Sequence, residues 1–179
     1  MSAFAIVAGA AGGVESIARE LVKPLVDRGH VVGVTLTPTA ATWLQASDLI
    51  RELENLTGLP VRSTPRLPSE KSPHPKPDVY VAAPLSASSV AKLALGIADN
   101  QALTSLCENV ATTPMVLFPR VNAAHARQPG WAGHLAALRS VGVQLIYGDD
   151  VWPLAEPRTA DPGRALPWAA IIQAAEDSL

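Results

Sequence analysis

The segment AFAIVAGAAGGVESIARELVKPLVDRG, residues 3–29, changes its period within a dozen positions. Ala3 to Ala8 is a continuous apolar run, the pattern of a strand covered on both faces. From Val14 onward Ile17, Ala18, Leu21, Val22 and Leu25 recur at helical spacing, and Gly9-Ala10-Ala11-Gly12-Gly13 joins the two patterns. Strand, glycine turn and helix are predicted. Pro24 lacks the N–H that would bond the Glu20 carbonyl, so a kink is expected near the helix end, before the stop at Arg28-Gly29.

The unit then repeats. His30 to Thr37 reads as a buried strand and Ala40 to Leu56 as a helix stopped at Gly58. Asp78 to Ala83 is a third strand, and Ser88 or Ser89 caps a helix running through Lys92, Leu95 and Ala98. Pro114 to Phe118 and Val143 to Tyr147 are further strands, separated by a helix over Gly133 to Val141, and a terminal helix opens at Pro167 and runs to Glu176. Strands alternating with helices predict an open parallel α/β sheet with helices on both faces. Residues 60–77 carry six prolines and are expected to form a mobile functional loop, and Gly148 to Leu166 a second long one. With 179 residues and 48% hydrophobic content, one domain over 1–179 is expected.

Composition narrows the partners. A formal net charge of -2 offers no basic excess for a phosphate backbone or an anionic membrane, so neither nucleic acid nor membrane is an expected partner. No apolar run approaches the ~20 residues of a membrane span. A lone cysteine, Cys107, and an N-terminus without a signal-peptide pattern point to a cytoplasmic location. No metal-ligand spacing is present.

Open parallel sheets bind ligands beyond the carboxyl ends of their strands. Gly9, Ala10, Gly12 and Gly13 follow the first strand, where backbone N–H groups can meet an anion at a helix start; a tight turn with no ligand explains them equally well. Thr37, Thr39 and Trp43 follow the second and offer hydroxyls and a ring, or merely a cap and a core residue. Ala83-Pro84-Leu85-Ser86-Ala87-Ser88-Ser89, Lys92 and Gly96-Ile97-Ala98-Asp99-Asn100 follow the third. Phe118-Pro119-Arg120-Val121-Asn122-Ala123-Ala124-His125 follows the fourth.

The third string resembles the P-A-S-A-N-T signature and K-x-A-x-G-x-A-D-N-L stretch of the homo-oligomeric flavin-containing cysteine decarboxylases, and the fourth is similar to their P-x-M-N-x-x-M-W. That resemblance implies a Rossmann- or flavodoxin-like three-layer fold. It also implies FMN, with its phosphate among Gly9 to Gly13, Thr37 and Thr39. The ring would lie near Trp43 and the Pro84, Ser86, Ala87, Ser88 and Ser89 turn, bordered by Asp99 and Asn100. Homotrimers or dodecamers follow from it as well, with flavin at subunit contacts. The implied reaction is hydride removal from the Cβ of a C-terminal cysteine. The resulting thioaldehyde then accepts the electrons released with CO2, giving an enethiol.

The chain departs from the pattern at Ser88 and Ser89, which replace Asn and Thr, at Val121, His125 and Ala126, and at the catalytic histidine, whose register falls on Glu70. The catalytic candidates are therefore Asn122 for the substrate carboxylate and His74 or His125 as the proton-transfer group. The C-terminal loop has no cysteine to complete a reduction, which favours the peptidyl, oxidative variety. Two alternatives share the fold: a flavin prenyltransferase using Arg120, Arg127 and Arg139 for a second phosphate, and a non-catalytic FMN-binding subunit.

Overall fold

The structure is a computed structural model, and it describes residues 1–159 and 164–179. Five parallel strands form one sheet: β1 (Ala3–Ala8), β2 (Val31–Leu36), β3 (Val79–Leu85), β4 (Met115–Pro119) and β5 (Gln144–Leu145), in the order β2-β1-β3-β4-β5. The apolar runs fix this arrangement because β3 and β4 are buried at every position and must be covered on both faces. Alternate residues then divide into two cores. Phe4, Ile6, Val34, Val81 and Phe118 pack on one face, and Val7, Tyr80, Ala82, Met115 and Leu117 on the other.

Helices complete the layers. After β1 the chain makes a 3₁₀ turn at Val14–Ser16, a π turn at Ala18–Val22 and α1 (Lys23–Asp27). The predicted kink is thus taken up by a π turn placed just ahead of Pro24, whose missing N–H falls in the first turn of α1. The same face holds α2 (Pro38–Ala46), α3 (Leu49–Thr57) and α8 (Trp168–Asp177). The opposite face holds α4 (Ala87–Ala94), α5 (Gln101–Asn109) and α7 (Trp131–Ser140), and the short α6 (Ala123–Ala126) follows β4.

Several boundaries correct the sequence reading. The helix expected over Ala40 to Leu56 is two, divided at Asp48, which adopts φ 57, a left-handed conformation that Asp tolerates better than most residues. The break lets α2 bury Ala40 and Leu44 while α3 separately buries Leu53. The helix expected to reach Ala98 ends at Ala94, because Gly96 at φ 71 turns the chain away. Its cap is Ser86, whose hydroxyl accepts from the Ser89 N–H at 3.3 Å, and neither Ser88 nor Ser89 caps it. Strand β3 runs two residues further than read, through a cis Ala83-Pro84 bond.

The proline-rich loop is fastened to the sheet edge at several points. Leu36 donates to the Arg62 carbonyl at 2.7 Å and Arg62 donates to Val34 at 3.0 Å, and within the loop the His74 imidazole donates to the Pro60 carbonyl at 2.7 Å. His74 packs against β2, where a Cβ on Gly33 would come within 2.9 Å of its ring. Mid-strand Gly33 is what admits the imidazole. The second long loop, expected over Gly148 to Leu166, is described on both sides of residues 160–163, which fall outside the described residues. Among the described residues no helix is long and apolar enough to cross a membrane, and no group of His, Cys, Asp and Glu could hold a metal.

Candidate functional site

The order 2-1-3-4-5 reverses direction between β1 and β3, and the loops leaving those two strands diverge to open a crevice at their carboxyl ends. Two adjoining cavities occupy it and share Ala10, Ser86 and Ser88. One, of about 480 Å³, is also lined by Thr37, Thr39, Trp43, Ser89, Lys92, Asp99 and Asn100. The other, of about 340 Å³, adds Gly12, Ala87, Arg120, Asn122 and His125. Both lie in the size range of small-molecule sites.

Backbone geometry decides which members of the glycine turn can serve a ligand. The Gly9 N–H is committed to the Pro84 carbonyl at 2.8 Å, which ties the β1 and β3 loops together. The Gly13 N–H is held by Glu15 Oε2 at 3.0 Å, and Gly13 is required for another reason: at φ 95, any Cβ would lie 2.6 Å from the Leu166 side chain. Gly9, Gly13 and Pro84 therefore build the turn and do not line the crevice. Ala10 and Gly12 do line it, and among the described residues their N–H groups have no partner.

Three helix starts meet the larger cavity. Thr37 caps α2 with Oγ1 accepting from Ala40 at 3.4 Å, Ser86 caps α4, and Asn100 caps α5 with Oδ1 accepting from Leu103 at 3.1 Å. Each start leaves unsatisfied N–H groups and a partial positive charge, so the cavity favours an anion without carrying excess formal charge. Its one ion pair, Lys92 with Asp99, is internal, and the Lys92 ammonium bonded to Asp99 holds that carboxyl below the usual range. Trp43, 49% exposed on the first turns of α2, presents an aromatic face at the rim.

The smaller cavity has a different chemistry. Asn122 caps α6, its Oδ1 accepting from the His125 N–H at 3.0 Å, which leaves the amide NH₂ available as a donor. Arg120 is held at the strand end by its N–H donating to the Leu85 carbonyl at 2.8 Å. His125 completes the lining. His74 is not brought here. It lines a separate cavity of about 620 Å³ beneath the proline-rich loop, together with Ala5, Thr35 and Tyr80, on the sheet face and away from the strand ends. Burial pushes its pKa down, the Pro60 carbonyl bond opposes this, and nearby Arg62 adds to the lowering.

Sequence reading missed the Lys92–Asp99 pair, whose partners the Gly96 turn brings together, and the capping role of Glu15. Neither leaves a periodic signal. It also could not see Trp152, buried in the second long loop against Phe118, with ring centroids 5.7 Å apart. Of the three arginines considered for a second phosphate, Arg120 alone lines the crevice. Arg127 is paired with Glu156 at 2.6 Å, and Arg139 is exposed in the last turn of α7.

The flavoprotein family model matches residues 1–178. The chain belongs to the flavoprotein family. No curated protein sequence matches it. Among solved structures, this flavoprotein resembles the FMN-dependent cysteine decarboxylase TvaF from thioviridamide biosynthesis, at 24% identity over 99% of this chain and 98% of that one, with a TM-score of 0.72. It also resembles HAL3 from Cryptococcus neoformans, at 21% identity over 99% and 95%, TM-score 0.69. The peptidyl-cysteine decarboxylase EpiD is similar at 20% identity over 83% and 87%, TM-score 0.64. These likenesses establish the flavodoxin-like fold of the flavoprotein.

Proposed function

We propose that this flavoprotein binds FMN and oxidatively decarboxylates the C-terminal cysteine of a peptide, releasing an enethiol and CO₂. The observation that carries the reading is the division of one crevice into an anion-attracting half, where three helix starts converge, and a half in which the Asn122 amide is free to donate. Its structural neighbours TvaF and EpiD are an FMN-dependent cysteine decarboxylase and a peptidyl-cysteine decarboxylase, the same class of reaction.

The crevice fits FMN. The free N–H groups of Ala10 and Gly12, with Thr37, Thr39 and the starts of α2 and α4, would hold the phosphate, and Trp43, Ser88 and Ser89 would flank the ring. When bound, FMN supplies the acceptor for a hydride from the cysteine Cβ, and molecular oxygen is the reoxidant. Asn122 orients the substrate carboxylate without adding a charge that would hinder departure of CO₂. His125, in the same cavity, is the group positioned to take the thiol proton. His74, on the sheet face, would reach a crevice only across a contact with a second copy.

We propose further that the protein assembles as a trimer or a multiple of three. Trp43 in the crevice lining and Leu95 and Ile97, 64% and 43% exposed in the connection between α4 and α5, are large apolar side chains left in solvent that a neighbouring copy would cover.

The test is direct. Purified protein should be yellow and release FMN, identified by mass spectrometry, and should remove CO₂ plus two hydrogens from peptides ending in cysteine. Colourless protein that cannot be reconstituted ends the FMN reading. Yellow protein inert toward a broad cysteine-terminated library ends the decarboxylase reading and leaves a prenyltransferase or a binding subunit.

A further inference from the structure

Arg120 stands out among the crevice residues because, among the described residues, its charge has no contact counter-ion. Its Nε is buried without a hydrogen-bond partner among the described residues, and no carboxylate there forms an ion pair with it. Glu15 acts on it at longer range, but that carboxylate already accepts the Gly13 N–H. A second cation crowds the first. The guanidinium carbons of Arg120 and Arg164 lie 5.3 Å and 3.5 Å from the centroid of the Trp152 ring, and Arg164 is held there by donating to the Pro153 carbonyl at 2.6 Å. Arg120 Nη2 lies beside Gly12, where a Cβ would be in ordinary contact with it at 3.8 Å.

Burial and like charge both disfavour a bare guanidinium, and each penalty falls when an oxyanion is bound. The side chain lines the same 340 Å³ cavity as the Asn122 amide, so two donors of different kinds face one space. Trp152, buried and packed edge-on against Phe118, braces the arginine from behind.

We propose that Arg120 is the specificity-determining residue of this cavity, receiving the C-terminal carboxylate of the peptide substrate together with the Asn122 amide. The proposal rests on the decarboxylase reading and deepens it: the enzyme selects free carboxyl termini over blocked ones. Desolvation and Arg164 also draw the Arg120 pKa down, in keeping with a group waiting for an anion. A phosphate ester is the other source of the same oxyanion chemistry.

The experiment uses FMN-loaded protein and two pentapeptides ending in serine, an unreactive stand-in for cysteine, one a free acid and one an amide. Their binding is followed by calorimetry. Wild type should prefer the acid by about 10- to 100-fold, the range of a charge-assisted hydrogen bond. Arg120→Gln should erase the preference and Arg120→Lys keep part of it, both with unchanged FMN content and circular dichroism. An acid preference that survives Arg120→Gln overturns the role of Arg120 while leaving the decarboxylase reading intact. Loss of FMN in both variants overturns it too, by assigning Arg120 to the cofactor phosphate. If wild type binds neither peptide but binds dimethylallyl phosphate in an Arg120-dependent way, the carboxylate assignment and the decarboxylase reading fall together.

Discussion

Asn122 illustrates how one side chain serves the fold and the proposed chemistry with different atoms. Its oxygen accepts the His125 N–H and caps α6, while its NH₂ donates to no group among the described residues, in a side chain that belongs to the cavity lining. Aspartate caps helices as well as asparagine does, so Asn122→Asp keeps the structural half of the role and removes the donor. It also places a negative charge beside a carboxylate. Turnover of a cysteine-terminated peptide should fall by at least about 100-fold with FMN retained, as loss of a positioned donor at a reacting centre typically costs; equal turnover would remove Asn122 from the site. His74 is governed by burial instead. Its pKa lies below the ordinary 6.5, chiefly through desolvation, so on acidification the unfolded chain takes up this proton before the folded one does. The stability it contributes is complete above about pH 6.5 and is lost as pH falls from there toward the folded-state value. Urea midpoints between pH 7 and 5 should fall more steeply in wild type than in His74→Asn, and an NMR titration should place the imidazole midpoint below 6.5.

At the scale of elements, the glycine turn after β1 and the loop before α8 are one structure. Gly13 sits at φ 95 with Leu166 where its Cβ would be, so the second long loop closes over the first turn. Gly13→Ala combines left-handed strain with a clash against a buried leucine and should destabilise by about 2 kcal/mol, measured by urea denaturation of the FMN-free protein. A change under half of that would show that Leu166 yields freely. Strand and helix existence were legible in the sequence because each buried run and each 3.6-residue stripe states locally which face must be covered, as β1 and the helical stretch from Val14 show. Breaks within helices were not, since Asp48 and Gly96 are tolerated inside a helical pattern and only the need to dock two faces reveals that the chain turns there. The crevice was legible as a set of strand ends: Ala10, Gly12, Thr37, Thr39, Trp43, Ser86, Ala87, Ser88, Ser89, Asp99, Asn100, Asn122 and His125 all line it. The exceptions are instructive. Gly9, Gly13 and Pro84 support the turn from behind, because which N–H of a glycine-rich loop is free depends on contacts remote in sequence. His74 lies elsewhere because Gly33 opens a seat for it on β2, a pairing that residue spacing does not announce.

For the whole molecule, the sheet is covered unevenly. The face carrying α1, α2, α3 and α8 has the larger core, while on the other face the β2 side lies under the proline-rich loop, with the 620 Å³ cavity reaching Ala5, Thr35 and Tyr80. The crevice is likewise open at its rim, where Trp43 is half exposed, and Leu95 and Ile97 are exposed apolar residues in the connection that leads to Asp99 and Asn100 of the same cavity. A flavin ring lodged there would be covered on one side by the chain's own residues and on the other by solvent, unless a second copy closes it. Burying the rim against a neighbour would remove apolar surface from water and shield the bound ring in the same contact. Light scattering after size exclusion should therefore report a mass three times that of the chain, or a multiple of three, and FMN should remain bound across the peak. Trp43→Glu or Ile97→Glu should shift the protein toward monomer and lower FMN content together, because a charge at the rim opposes both contacts. A stable monomer that holds FMN stoichiometrically would mean that each chain completes its own flavin site. In that case His74, committed to the far side of the sheet, would have no crevice to serve, and proton transfer would rest on His125 alone.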